Sequence, residues 1–151
     1  VVRSRTVVAT PTGAPAVDLS SGEALKAAVL AAPTVGLSTG PSGVALQALF
    51  AQWGIADTIR DRIQVPPPGT PVASLLASGA VSLGFQQEAE LMGVAGVKVW
   101  GALPTEIAID TVFAAAVATA SKQPELAQAL IAAWNQAANA PIKLQHGMQT
   151  L

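Results

Sequence analysis

The stretch TVGLSTGPSGVALQALFAQW, Thr34 to Trp53, decides how this chain is read. Thr34 to Leu37 is a short apolar run of strand type. Ser38 to Gly43 is a loop of glycine, serine and proline. From about Ser42, the residues Val44, Leu46, Leu49, Phe50 and Trp53 recur at helical spacing, and Gly54 follows where a left-handed cap is suited. Strand, loop and helix in that order form the unit of an open α/β sheet.

The alternation continues on both sides. Towards the N-terminus, Val1 to Thr10 reads as a strand, Thr12 to Ala16 as a loop, and Ser20 with Glu23 as a capping box. That box opens a helix of roughly ten residues, with Leu25, Ala28 and Val29 on one face, which Pro33 ends. Towards the C-terminus, Ala56 to Arg62 gives one or two helical turns and Pro66 to Gly69 a stiff, exposed connection. A helix over Thr70 to Ser78 carries Val72, Leu75 and Leu76 and is capped by Gly79. Val81 to Phe85 is a buried strand, and Gln86 to Leu91 begins a helical turn. Val97 to Trp100 and the longer apolar run Ile107 to Ala118 are extended. Pro124 opens the longest predicted helix, through Ala138, and a last helical piece runs from about Pro141 to Gly147. The fold expected is α/β: a mixed, mostly parallel sheet with helices on both faces.

Composition limits the chemistry. The 151 residues are 51% hydrophobic, with eight Lys and Arg against nine Asp and Glu. That apolar share excludes a disordered chain, and the near-neutral charge provides no footprint for nucleic acid or an anionic membrane. The longest apolar run, Val112 to Ala120, falls well short of the ~20 residues a membrane helix needs. A soluble globular chain is expected. Cysteine and tyrosine are absent and His146 is the one histidine, so thiol, disulfide, phenol and multi-histidine metal chemistry are excluded. No serine lies in a GxSxG elbow. No metal, cofactor or catalytic set is therefore expected.

Ligands of open α/β sheets bind beyond the carboxyl ends of the strands. At that edge lie the Ser38–Gly43 loop, the turn before Val72, and the pair Gln86 and Gln87. The loop ends at a helix N-terminus, where unpaired N–H groups and the macrodipole favour an anion. It is not a nucleotide P-loop, because the GxxxxGK[ST] pattern and its lysine are missing. Taken alone it also fits a well-capped helix with a polar loop. Two amides after a buried strand can donate to and accept from one small polar ligand, or simply form a polar strand end. The candidate ligand-binding residues are Thr39, Ser42, Gly43, Val72, Gln86 and Gln87. Asp110, a carboxylate in an apolar run, marks a strand bend, a salt bridge or a ligand contact. His146, beside Gly147, suits a cation at a helix C-terminus. Trp53, Trp100 and Trp134 are scattered and read as packing residues.

These residues resemble a family. Gly36 to Gly43, then Leu49-Phe50 and Trp53 to Ala56, look like the second lobe of the periplasmic molybdate-binding proteins of ABC transporters. Pro71-Val72-Ala73, Leu83 to Gln87, Leu103-Pro104, Thr111 to Phe113 and His146-Gly147-Met148 follow the same pattern in order. The resemblance implies a periplasmic-binding-protein-like (type 2) clamshell, whose two lobes close on a small anion held by hydroxyls and backbone N–H groups. It implies ligand contacts at Ser42, Val72 and Gln87. Many molybdate binders carry alanine and tyrosine at the first and last of these. The Leu83 to Gln87 variant looks closer to a branch handling small organic acids, which includes aconitate isomerase.

By the same resemblance Val1 aligns near the first crossing strand, so the first lobe is expected to lie outside these residues. Residues 1–10 and 107–120 are then hinge strands, 11–106 the second lobe, and 121–151 helices that would pack on the first lobe. An exposed apolar face at Leu126, Leu130, Ala133 and Trp134 is expected to favour that lobe or self-association. The expected function is that of a periplasmic substrate-binding component, capturing a small oxyanion or organic acid by lobe closure and delivering it to a membrane permease. An isomerase on the same fold is the alternative; its base would be sought among Glu88, Glu90, Asp110 and His146, none clearly at the loop edge. The effector domain of a transcription regulator is a third reading.

Overall fold

Ten residues rich in valine and threonine, Val2–Pro11, form the long strand β1 around which the chain is organised. In the computed structural model, which describes Val1–Leu151, helix α1 (Gly22–Ala31), strand β2 (Val35–Leu37) and helix α2 (Pro41–Gln52) follow. Helix α3 (Ala56–Ile59), a 3-10 turn and strand β3 (Ile63–Gln64) lead to α4 (Val72–Ala77), β4 (Leu83–Gln87) and α5 (Glu88–Leu91). Strands β5 (Val97–Ala102) and β6 (Asp110–Phe113) and helices α6 (Pro124–Trp134) and α7 (Ala140–Gln145) complete the chain. No helix is long and apolar enough to cross a membrane.

The sheet has the order β3-β2-β4-β1-β5, with β6 paired to the first part of β1. β2 runs parallel to β3 and β4, whereas β1 is antiparallel to β4, β5 and β6. Every strand except β1 therefore points the same way, and the sheet is mixed but mostly parallel, as expected. β1 also divides along its length: Val2 to Arg5 pair with β6, and Thr6 to Ala9 pair with β4.

Alternation along β1 feeds two cores. Val8 joins Leu25, Val29, Leu46, Phe50, Ile59 and Phe85 under α1, α2 and α3. Val7 and Ala9 join Val72, Ala73, Leu76 and Leu91 under α4 and α5. On the second face Gly84 brings α4 close, since a Cβ there would lie 2.8 Å from Leu76 Cδ1. With both faces covered, β2 and β4 are buried along their whole length.

Several boundaries differ from the sequence reading. The α1 cap is Ser21, whose Oγ accepts from Ala24 N at 3.1 Å, rather than Ser20. The Ser20 N–H goes to Asp18 Oδ1 at 2.9 Å rather than to Glu23, and the Gly22 N–H goes to Glu106 Oε1. β4 starts at Leu83 and runs on to Gln87, because Thr6 and Val7 of β1 provide ladder partners for Gln87 and Gln86. β6 covers only Asp110 to Phe113, the length of its register with β1; residues 114–118 have no regular structure. Pro66 is buried rather than exposed, and α2, with 12 residues, outruns α6 with 11. Gly54 and Gly79 do take positive φ, 70° and 76°, after their helices.

Candidate functional site

Because β2 and β4 are parallel neighbours, the segments that follow them emerge at one edge of the sheet. There they enclose a cleft of about 400 Å³. Ser38, Thr39 and Gly40 line it from the loop after β2, Gly69, Thr70 and Pro71 from the turn before α4, and Gln86, Gln87 and Glu90 from the end of β4 and from α5. None of the nine is hydrophobic, and Glu90 is the one ionisable group among them.

The loop is shaped by Gly43. A Cβ at that position would fall 1.8 Å from the Ser38 carbonyl oxygen, so the backbone of the first turn of α2 lies directly against the loop. Ser42 is buried and its Oγ meets Ser38 Oγ at 3.0 Å, which pins the two ends together. Gly43 N and Val44 N both donate to Gly40 O. The N–H groups of Thr39, Gly40 and Ser42 donate to no protein acceptor. They stand at the start of a 12-residue helix, where the macrodipole adds to their pull on negative charge.

The two glutamines are adjacent on a strand and so turn to opposite faces. Gln86 faces α4 and α5: its Oε1 accepts the Val72 N–H at 2.8 Å, and its Nε2 donates to the Glu90 carboxylate. The backbone N–H can be met only by the amide oxygen, which sets the orientation of the amide. Gln87 faces the α2 side, is 8% exposed, and makes no hydrogen bond to the protein through its side chain. Its partner across the ladder, Thr6, also carries a buried hydroxyl with no partner. Burial pushes the Glu90 carboxyl above its ordinary range, although donation from Gln86 works against that shift.

Of the six candidate residues, Thr39, Gln86 and Gln87 line the cleft. Ser42, Gly43 and Val72 lie one layer behind, Ser42 and Gly43 shaping the loop and Val72 holding Gln86 through its N–H. Glu90 is the residue that sequence reasoning misplaced. It reaches the edge because β4 runs two residues further than expected, so the first turn of α5 opens at the cleft. Asp110 pairs with Arg3 at 3.6 Å and Glu88 with Arg5 at 3.0 Å, both away from the cleft lining. His146 is the C-cap of α7 and lines a separate cavity with Met92 and Met148. Trp100 donates to Thr10 Oγ1 at 2.9 Å, and Trp53 packs on Phe50.

A family model described as bacterial extracellular solute-binding protein matches residues 1–149. The chain belongs to that family. This solute-binding chain is similar in structure to a domain assigned as the substrate-binding domain of a molybdenum ABC transporter from Clostridium difficile. The TM-score is 0.73 at 15% identity, covering 99% of this chain and 65% of that one. Its likeness to the Azotobacter vinelandii periplasmic molybdate-binding protein has a TM-score of 0.71 at 18% identity, covering 99% and 68%. These likenesses show the fold, a type 2 periplasmic-binding-protein lobe. Aconitate isomerase from a Pseudomonas species is 33% identical over 120 residues, 79% of this chain and 45% of that enzyme. The solute-binding chain thus spans less than half of that enzyme and about two thirds of the molybdate-binding structures. The family's extracellular description agrees with the periplasmic location that the resemblance implies.

Proposed function

We propose that this chain provides one lobe of the substrate-binding component of an ABC-type transporter and captures a small oxyanion or organic acid by lobe closure. The observation that carries this reading is the polar cleft, onto which the Gln87 amide and the N–H groups of Thr39, Gly40 and Ser42 open without protein partners. A concave site lined by converging polar groups with free hydrogen-bonding capacity suits a small polar ligand. Thr39 and Gln87 contact it from the lining; Ser42 and Gly43 present the loop backbone. Val72 and Gln86, joined by their mutual hydrogen bond, form the wall behind it. The partners assigned are that small ligand and, by family, a membrane permease.

The division into hinge strands 1–10 and 107–120, a lobe over 11–106 and packing helices over 121–151 belongs to the same proposal. It is supported by the way β1 leaves β4 to pair with β6, and by α6 and α7 burying no residue of their own. An isomerase is the second reading, favoured by Glu90, a carboxyl in the cleft whose affinity for protons is raised towards the range useful for a general base. The deciding experiment is calorimetry of the complete polypeptide with molybdate, sulfate, citrate and trans-aconitate, followed by product assay. Tight binding without turnover is expected for a transport receptor; conversion of trans-aconitate would make the protein an enzyme. Absence of binding by every one of these anions would remove the transport reading.

A further inference from the structure

We propose that Glu90 sets the ligand class: the cleft takes a carboxylate that bears a hydrogen-bond donor beside it, a hydroxyl or an ammonium, in preference to a fully deprotonated oxyanion. The inference rests on reading the cleft as the ligand site. The two walls of the cleft differ in polarity. One wall, from the loop that opens α2, presents the unpaired Thr39, Gly40 and Ser42 N–H groups. The other, from α5, presents the Glu90 carboxylate, and no Lys, Arg or His lines the cleft to neutralise it.

Gln86 already leans on that charge: its amide oxygen accepts from Val72 N at 2.8 Å and its nitrogen donates one hydrogen to Glu90 Oε2. Glu90 Oε1 has no protein donor, so one acceptor stays unfilled at the cleft. Gln87, buried, unpartnered and between the walls, can turn either face of its amide to a bound molecule. A sulfate-like dianion brings acceptors alone and would set an oxygen against the carboxylate. A hydroxy or amino acid fills both walls: its carboxylate takes the N–H groups and its donor meets Glu90.

Succinate, malate and aspartate share one skeleton and differ at a single carbon, which carries hydrogen, hydroxyl or ammonium. The test titrates the complete polypeptide with each, and with sulfate, at pH 7.5, following the amides of Thr39 and Gly40 and the side-chain amide of Gln87 by NMR. Malate or aspartate is expected to bind at least about tenfold more tightly than succinate and sulfate, as a hydrogen bond to a charged acceptor implies. Whichever of the two wins identifies the donor. Glu90→Gln, checked for folding by its amide spectrum, should shrink the gap to within about twofold. Succinate or sulfate binding as tightly as the better donor acid overturns the inference and leaves the cleft reading standing. A tenfold gap that survives Glu90→Gln does the same. If none of the four probes moves those amides, the cleft reading fails and the inference with it.

Discussion

Gly43 and Gly40 stand three residues apart in one loop, and the structure gives them opposite tolerances. A methyl at Gly43 meets the Ser38 carbonyl at 1.8 Å, a backbone atom that cannot swing aside; at Gly40 the nearest atom is 3.8 Å away. Gly43→Ala should therefore cost about 3 kcal/mol and Gly40→Ala at most about 1 kcal/mol, read from urea midpoints. Equal costs would show that the loop is not clamped by Gly43. Glu90 makes a different demand. Its folded-state proton affinity is raised above the ordinary value of 4.5, so its contribution to stability is present below that pH. It is lost as pH rises through the shifted value. Glu90→Gln should raise the melting temperature at pH 7.5 and leave it unchanged at pH 4. A variant that gains equally at both would rule out the carboxylate as the cause. Residue chemistry at the site was legible as two amides and a glycine-serine loop. That Gln86 is consumed by Val72 and Glu90 was not, because strand alternation sends it to the opposite face from Gln87.

At the scale of elements, the entry to α1 tests how far a local motif decides local structure. Ser20 and Ser21 both suit a cap by residue type. The choice falls to Ser21 because Asp18 engages Ser20, whose hydrogen bonds hold the Asp18 carboxyl below its usual range. From the far side Glu106 accepts the Gly22 N–H at 2.6 Å; its carboxyl is held low first by its own backbone N–H and then by this bond. Ser21→Ala should cost about 1 kcal/mol, whereas Ser20→Ala should cost no more than a few tenths, as denaturant titration of each variant would show. The reverse order would restore the cap at Ser20. A contact 84 residues away in sequence, Gly22 to Glu106, lies beyond any capping pattern. The same holds for β4, whose last two residues are strand only because β1 is beside them.

For the molecule as a whole, the apolar surface is unevenly spent. Every large fully buried side chain belongs to the sheet or to the helices α1 to α5 and their connections. α6 and α7 bury none; Leu126, Leu130, Trp134, Ile142 and Leu144 lie exposed, as do Val112 and Phe113 of β6. Exposed apolar surface on this scale marks an interaction face. The chain Val1–Leu151 should therefore associate with itself as its concentration rises in sedimentation velocity runs, and Leu130→Glu should suppress that association. A single monomeric boundary at every concentration would count against it.

Much of this organisation follows from the sequence by itself. Periodicities of two and 3.6, punctuated by Gly and Pro, determined which segments are strands and helices, that the sheet is α/β, and that its carboxyl edge holds Thr39, Gln86 and Gln87. These are short-range properties, set by backbone sterics and by which side chains avoid water. Only the tertiary structure decided which partners those polar groups have. Gln86 meets Val72 across fourteen residues, Gly22 meets Glu106 across eighty-four, and Glu90 enters the cleft because a strand from the other end of the chain extends β4. Pairing of this kind depends on where remote segments are brought together by burial of the two cores, and no local pattern records it.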